Sequence, residues 1–143
     1  MSRRKTLILI FIALVVCTAI ILIPTKKPET EKPERQTVTA TTTAERIEYF
    51  ALHGWEVEEI AGKDITVPED FSEAYEEYAV LQDRQGLPLR DYAGKNARIY
   101  VYDVRNYSPE DRKMSAELLV CEGTAIASMI YSEDGGSIRL AVS

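Results

Sequence analysis

The one histidine of the sequence, His53, is the first side chain to consider for acid–base catalysis. Histidine usually does this work because its unperturbed pKa lies close to neutral pH. His53 falls in the last turn of a predicted helix, where a positive charge interacts favourably with the helix dipole. A Ser-His-Asp or Cys-His set would need contacts that no spacing here indicates. We therefore interpret His53 as a capping or exposed residue and assign no catalytic residue.

Carboxylates are the second source of chemistry, because glycoside hydrolysis uses two carboxyl groups that face one cleft. Adjacent acidic residues are frequent in this chain, as at Glu58-Glu59, Glu69-Asp70, Glu76-Glu77 and Glu133-Asp134. Neighbouring residues on a helix point in different directions, so adjacency does not place two carboxylates in one site. These residues are typical of a solvated surface, and a hydrolase would need the fold to bring distant carboxylates together.

Metal, cofactor and nucleotide sites have no matching pattern. The two cysteines, Cys17 and Cys121, are far apart, and no pair of His or Cys has ligand spacing. The acidic stretch at 133–137 lacks the calcium-loop pattern, and no Gly-rich phosphate loop is present. Lys and Arg form no basic stripe of the kind that binds nucleic acid. We expect no metal, cofactor, nucleotide or nucleic acid to bind. We also expect Cys121 to be an unreactive residue within a strand.

The eight tyrosines all lie after residue 43, and two of them suggest a binding surface. Tyr100 and Tyr102 project from the same side of one predicted strand, whereas Ile99 and Val101 line the other side. Because both sides are apolar, a two-layer domain would leave one side open. An exposed tyrosine pair suits a glycan, a peptide or a partner protein. The alternative is that a helix or the segment 87–92 covers the pair.

Two helices and several strands must position these residues. Thr42 and Glu45 have capping-box spacing at the start of a helix that runs to about His53, and Gly54 suits its end. Asp70 and Glu73 repeat this spacing before a second helix, which ends at Gly86.

Alternating residues predict strands in WEVEEI from Trp55, in a short ITV segment after Gly62, and at about 96–106, 113–121 and 124–132. A tight turn is expected at Glu122 and Gly123, and the IRLAV segment adds a last short strand. The predicted fold is α+β, with two helices packed on one face of an antiparallel sheet. Its order is helix-strand-strand-helix followed by a three-stranded meander.

The N-terminal third is unlike the rest of the chain. Residues 6–23 carry no charge, and at ~1.5 Å per residue they give roughly 27 Å of helix, close to the thickness of a bilayer core. We predict a basic tail at 1–5, a transmembrane helix at 6–23, a flexible Pro/Thr/Lys/Glu stalk at 24–43 and the folded domain at 44–143. The unbroken apolar run argues against signal cleavage and against lipidation of Cys17.

Orientation is not decided by charge, because Lys and Arg flank both ends of the apolar segment. We place the N-terminus inside, since long C-terminal domains translocate largely regardless of charge and the basic tail resembles the start of a signal sequence. The opposite orientation, with the domain in the cytosol, is left open.

Several strings carry a resemblance: YFALHGWEV from Tyr49, ITVPEDF from Ile65, YEEYAVLQDRQGLPLRDYAGK from Tyr75, YVYDV from Tyr100 and LLVCEG from Leu118. Together they resemble an uncharacterised family of Gram-positive bacterial proteins with an N-terminal membrane segment and a small C-terminal domain of unknown function. The likeness covers about residues 44–132. It implies a location in the bacterial cell envelope and supplies no activity, because its motifs are structural landmarks.

The leading functional hypothesis is a non-catalytic binding or interaction domain, anchored in the cell membrane by residues 6–23 and displayed outside the cytoplasm. Its partner would be an envelope protein or a cell-wall ligand. Two alternatives are a carboxylate-based envelope hydrolase and a structural subunit of a membrane complex.

Overall fold

The computed structural model describes residues 33–143. Two helices and five strands fold in this part of the chain, with two short 3-10 turns between them. In chain order the elements are α1 (Thr43–Leu52), β1 (Val57–Thr66), α2 (Glu73–Gln85), a turn at Leu89–Tyr92, β2 (Asn96–Val104), a turn at Pro109–Asp111, β3 (Met114–Cys121), β4 (Thr124–Ser132) and β5 (Arg139–Leu140).

Both helices begin and end on local signals. The Thr42 side chain accepts from the Glu45 amide, and the Glu45 carboxylate accepts from the Thr42 amide, which confirms the predicted capping box of α1. Helix α2 differs from the prediction at its start, since Ser72 rather than Asp70 caps it by accepting from the Tyr75 amide. Gly86 ends α2 with a left-handed φ of 72°, as expected.

Strand β1 corrects the prediction of two separate strands, one from Trp55 and a short one after Gly62. The chain continues through Gly62 as one strand, antiparallel to β2, with a bulge between Glu59 and Ala61. A Cβ at Gly62 would lie 3.1 Å from the Arg98 Nε and 3.4 Å from the Tyr100 ring. Glycine is therefore present because neighbouring side chains lie close to the backbone.

The five strands form one antiparallel sheet in the order β1-β2-β3-β4-β5. The β3–β4 hairpin turns through Glu122 and Gly123, whose φ values of 51° and 77° fit the two-residue turn that the sequence predicted. The short final strand β5 pairs with Ile130 and Tyr131 of β4. The α+β class and the meander are thus confirmed, and β3 is the central strand.

The two helices lie on opposite faces of this sheet, so the prediction that both pack on one face is wrong. Tyr49 and Phe50 of α1 share a core cluster with Tyr102 and Leu118. Side chains of α2 join a second cluster with residues of the alternate face, which include Ala97, Ile99, Leu119, Cys121 and Ala127. Because successive strand residues point to opposite sides, an apolar pattern on both sides requires cover on both sides.

Part of the predicted stalk belongs to the domain. The Gln36 amide donates to the Gly86 carbonyl at 2.9 Å, and the Ala40 amide donates to the Gly123 carbonyl at 2.8 Å. Ala40 is fully buried. The polar composition of this segment hid these contacts, which are made by its backbone.

Neither described helix has the length and hydropathy of a membrane span. The predicted transmembrane helix at 6–23, the basic tail and Cys17 lie outside the described residues.

Candidate functional site

Tyr100 and Tyr102 do not form an exposed pair, which corrects the predicted binding surface. Tyr102 is fully buried, with its ring 4.8 Å from that of Phe50. Tyr100 is half-buried beneath the Arg46 guanidinium, whose carbon lies 3.7 Å from the ring centroid. Helix α1 therefore covers both rings, which is the alternative that the sequence left open.

Arg46 is the centre of a saturated cluster on the α1 face, and it is buried to 4% exposure. Its Nε and Nη2 donate to the two oxygens of Glu59 at 2.9 and 3.0 Å. Its remaining donors reach the Ala40 and Thr41 carbonyls and the Thr43 hydroxyl. All five guanidinium N–H groups are used, so this arginine ties α1, β1 and the preceding segment together.

The charge state of Glu59 follows from these contacts. Burial alone would raise the pKa of Glu59, but hydrogen bonds from Arg46 and from the Tyr102 hydroxyl lower it below its ordinary value. The cluster holds the fold and leaves no group for a ligand.

A second buried polar cluster closes the edge of β4. Gln82 Oε1 accepts from the Ser128 amide at 2.8 Å, and Gln85 Nε2 donates to the Ser128 carbonyl at 3.0 Å. Gln85 Oε1 also accepts from the Val142 amide at 2.7 Å, while the Trp55 indole donates to the Val142 carbonyl at 2.9 Å. These amide side chains take the place of a neighbouring strand, which is a structural role.

Glu117 lies on the opposite face of the sheet, between Val101 of β2 and Met129 of β4. It is half-buried, and it makes no ion pair with another described residue. Burial raises the pKa of Glu117, and nearby Tyr78 and Arg139 only partly oppose this rise. A carboxyl group with this property in a cleft is a candidate for function.

The hydrogen bonding of the Tyr78 hydroxyl, beside Glu117, is also not fully satisfied. It is buried, and its nearest polar neighbour is the Glu117 carboxyl, which acts on it but lies outside strict hydrogen-bond geometry. Burial, followed by the charge of Glu117, raises the pKa of Tyr78 well above its ordinary value. A carboxyl and a phenol thus meet here without satisfying their hydrogen-bonding capacity.

These groups lie beside a groove between α2 and strands β4 and β5, which we call the α2 groove. Its volume is about 560 Å³, and Met129 and Arg139 also line a smaller cavity of about 270 Å³, together with Glu117 and Tyr131. Apolar walls come from Tyr78, Val80, Leu81 and Met129, and charged walls from Glu73, Glu76, Glu77, Arg84 and Arg139. Apolar walls with a few polar groups are typical of ligand sites.

The charges of the α2 groove are of both signs. Glu76 is paired with Arg90 at 2.6 Å. Glu77, Arg84 and Arg139 make no ion pair within the part of the chain that the structure describes. The groove therefore has charges available to a ligand.

A larger depression, of about 650 Å³, lies at the end of strands β1 to β3. It is shallow and mainly polar, and its Arg98 and Asp64 are exposed and already paired at 2.7 Å. Exposed pairs of this kind are common on protein surfaces, so we regard the α2 groove as the better candidate.

The other chemical candidates do not meet at this groove. His53 caps the end of α1, and its ring packs against Tyr49 on the other face of the sheet. The Cys121 thiol is buried and donates to the Asn96 carbonyl, and burial raises its pKa. Among the described residues, no group of His, Cys, Asp and Glu has the arrangement of a metal site.

These features define the described part as an α+β domain with a helix on each face of an antiparallel sheet and a ligand-sized groove beside one helix. The chain matches no protein-family model, no curated protein and no solved structure.

Sequence reasoning placed Tyr78 on the buried side of the second helix, as the structure shows, but it missed Glu117 and Arg46 as site or core residues. One signal was present, because Glu117 interrupts a strand whose two faces are otherwise nearly all apolar. A charge at such a position is either paired or functional, and only the contacts decide which.

Proposed function

We propose that this chain is a non-catalytic binding domain that is anchored in the cell membrane by residues 6–23 and displayed outside the cytoplasm. Its binding site is the α2 groove, and its partner is an envelope protein or a cell-wall ligand. The uncharged N-terminal segment and the resemblance to Gram-positive membrane-anchored proteins support the location.

One observation carries the choice of site. The buried charge on the α1 face is fully hydrogen-bonded within the chain. Beside the α2 groove, Glu117 makes no ion pair with a described residue, and the Tyr78 hydroxyl has no partner in strict hydrogen-bond geometry. Desolvated polar groups are costly when they have no partner, so a ligand that supplies one is favoured.

A photo-crosslinking residue at two matched positions tests the site. Val80 lines the groove on α2 and is 36% exposed, while Leu52 on α1 is 77% exposed and lies away from it. With p-benzoylphenylalanine in the full chain in living cells, we expect a discrete crosslinked product from position 80 and none from position 52. Equal crosslinking at both positions, or none at position 80, would contradict the groove as the binding site.

Location is tested separately by adding protease to intact bacteria that express the full chain. We expect loss of the domain without lysis. Survival of the domain until the cells are lysed would place it in the cytosol and exclude an envelope ligand.

The second candidate is a carboxylate-based hydrolase, which the raised pKa of Glu117 favours because a general acid must keep its proton near neutral pH. The other described carboxyls with a resolved shift, Glu59, Glu76, Glu133 and Asp134, all have lowered pKa values. Release of soluble fragments from labelled cell walls by the wild-type chain, and not by Glu117→Gln, would replace binding by hydrolysis as the preferred function.

A further inference from the structure

We infer that the α2 groove binds a peptide through a cationic side chain on an aliphatic stem, of the lysine or arginine type, with Glu117 as its counter-ion. This inference rests on the proposed function, since it names the ligand chemistry of the same groove. It starts from the groups that surround the Glu117 carboxyl.

The elements around Glu117 compensate its negative charge only in part, because burial outweighs the opposing effects of Tyr78 and Arg139 on its pKa. Helix α2 contributes the phenols Tyr75 and Tyr78, and β4 contributes Tyr131, and the charge of Glu117 raises the pKa of all three. Strand β5 contributes Arg139, the one cation that acts on Glu117, but it lies outside ion-pair distance. Glu117 can therefore form an ion pair with a cationic group of a ligand.

The hydrogen-bonding capacity points the same way. A carboxylate only accepts hydrogen bonds, and the phenol oxygen of Tyr78 has lone pairs free. An ammonium or guanidinium group only donates. Such a group can donate to the Glu117 carboxylate, whereas a carboxylate or phosphate would be repelled by Glu117.

The groove beside Glu117 fits the stem of such a side chain. Leu81 and Met129 offer half-buried apolar surface, and Met129 lines both the groove and the cavity beside Glu117. Lysine and arginine bury their methylene stems on apolar surface while the charged group meets a polar partner. Arg84 and Arg139 attract a ligand anion less strongly than Glu117 attracts a ligand cation. The reason is that both arginines are exposed and screened by water, whereas the half-buried Glu117 carboxylate is screened less.

A random hexapeptide phage library provides the probe, with the full chain in detergent micelles as target. We expect enrichment of peptides with Lys or Arg, and loss of this enrichment on Val80→Trp, which fills the groove. Leu52→Trp, a bulky change on exposed α1 surface, is the matched control and should leave the selection unchanged.

Calorimetry with one selected peptide then tests the counter-ion. Replacing its cationic residue by norleucine, which keeps the stem, should weaken binding about tenfold, and Glu117→Gln should do the same. The two changes together should cost no more than either alone, because each removes the same ion pair. Arg139→Gln should strengthen binding of the cationic peptide several-fold, since it removes a neighbouring like charge.

The outcomes separate the two proposals. Selected peptides that lack a cation but still need an open groove would overturn the cationic ligand and leave the binding groove intact. Full binding of the cationic peptide to Glu117→Gln would have the same meaning. Enrichment that Val80→Trp does not affect, or no enrichment at all, would count against the groove itself as well as the cation.

Discussion

Each face of the sheet has an arginine, a glutamate and a tyrosine close together, but the three are hydrogen-bonded to one another on only one face. On the α1 face, Arg46, Glu59 and Tyr102 are joined by hydrogen bonds, and the pKa of Glu59 is lowered. On the α2 face, Arg139, Glu117 and Tyr78 lie near one another without an ion pair, and the pKa of Glu117 is raised. Residue types alone do not separate a structural cluster from a binding site, because the difference lies in which partners are within reach.

The cover over each face explains the difference. Strand positions beneath α1, such as Tyr102, Leu118 and Ile130, are fully buried. Positions on the other face, such as Glu117 and Met129, are half-buried and line cavities. A helix that covers its face must satisfy the charges beneath it, whereas partial cover leaves groups that a ligand can complete.

Removal of Arg46 should have the largest effect on this comparison. Arg46→Ala leaves Glu59 half-buried without its cation, and we expect a loss of roughly 3–5 kcal/mol in the free energy of unfolding. Urea unfolding followed by the fluorescence of Trp55, the one tryptophan, measures it. Arg98→Ala, in the exposed pair with Asp64, is the control and should cost ~1 kcal/mol or less. Equal losses would show that Arg46 does not stabilise the fold as its contacts indicate.

Neutralising Glu59 should cost less and depend on pH. Because its folded pKa is lowered, Glu59 contributes stability that is present above the ordinary glutamate pKa of 4.5 and is lost as the pH falls through the folded value. Glu59→Gln should therefore destabilise the domain by about 1–3 kcal/mol at neutral pH and by less in acid. A difference between the two proteins that stays constant from neutral to acidic pH would refute this role.

A pair of Tyr→Phe variants compares single hydroxyls on the two faces. Tyr102→Phe removes a hydrogen bond to a carboxylate and should cost about 1.5–3 kcal/mol. Tyr78→Phe removes a buried hydroxyl without a partner and should be neutral or slightly stabilising, within about 0.5 kcal/mol. Both are read from urea unfolding, and a large loss from Tyr78→Phe would mean that its hydroxyl is bonded within the chain.

Glu117→Gln should have a small effect on stability, with the opposite sign to the effect of Glu59→Gln. With a raised folded pKa, Glu117 contributes stability that is fully present below the ordinary value of 4.5 and is lost as the pH rises through the folded value. Glutamine does not ionise, so the variant does not lose stability as the pH rises. We therefore expect it to be more stable than wild type by about 0.5 kcal/mol at neutral pH. Thermal unfolding over a pH series checks this, and destabilisation at neutral pH would show that Glu117 has a cationic partner within the chain.

Local features of the fold were predictable because short-range backbone chemistry produces them. The Thr42–Glu45 capping box, the left-handed Gly86 and the Glu122–Gly123 turn each depend on residues within four positions of one another. The alternation of Met114, Ala116, Leu118 and Val120 likewise identified a buried strand face.

Long-range features were wrong or missed, and each depends on a distant neighbour. The sequence divided β1 into two strands at Gly62, whereas in the structure the Arg98 and Tyr100 side chains lie beside this glycine within one continuous strand. The prediction of an exposed tyrosine pair was wrong because α1 covers Tyr102. The contact between Arg46 and Glu59, which are 13 residues apart, was missed.

By itself the sequence determined the α+β class, the meander, most helix and turn signals, and the lack of a pattern for metal or nucleotide binding. The tertiary structure alone decided that the helices lie on opposite faces, that Arg46 is satisfied and that Glu117 is not. The physical reason is that capping and turn geometry act over a few residues, whereas the burial and partners of a charged group come from segments far apart in the chain.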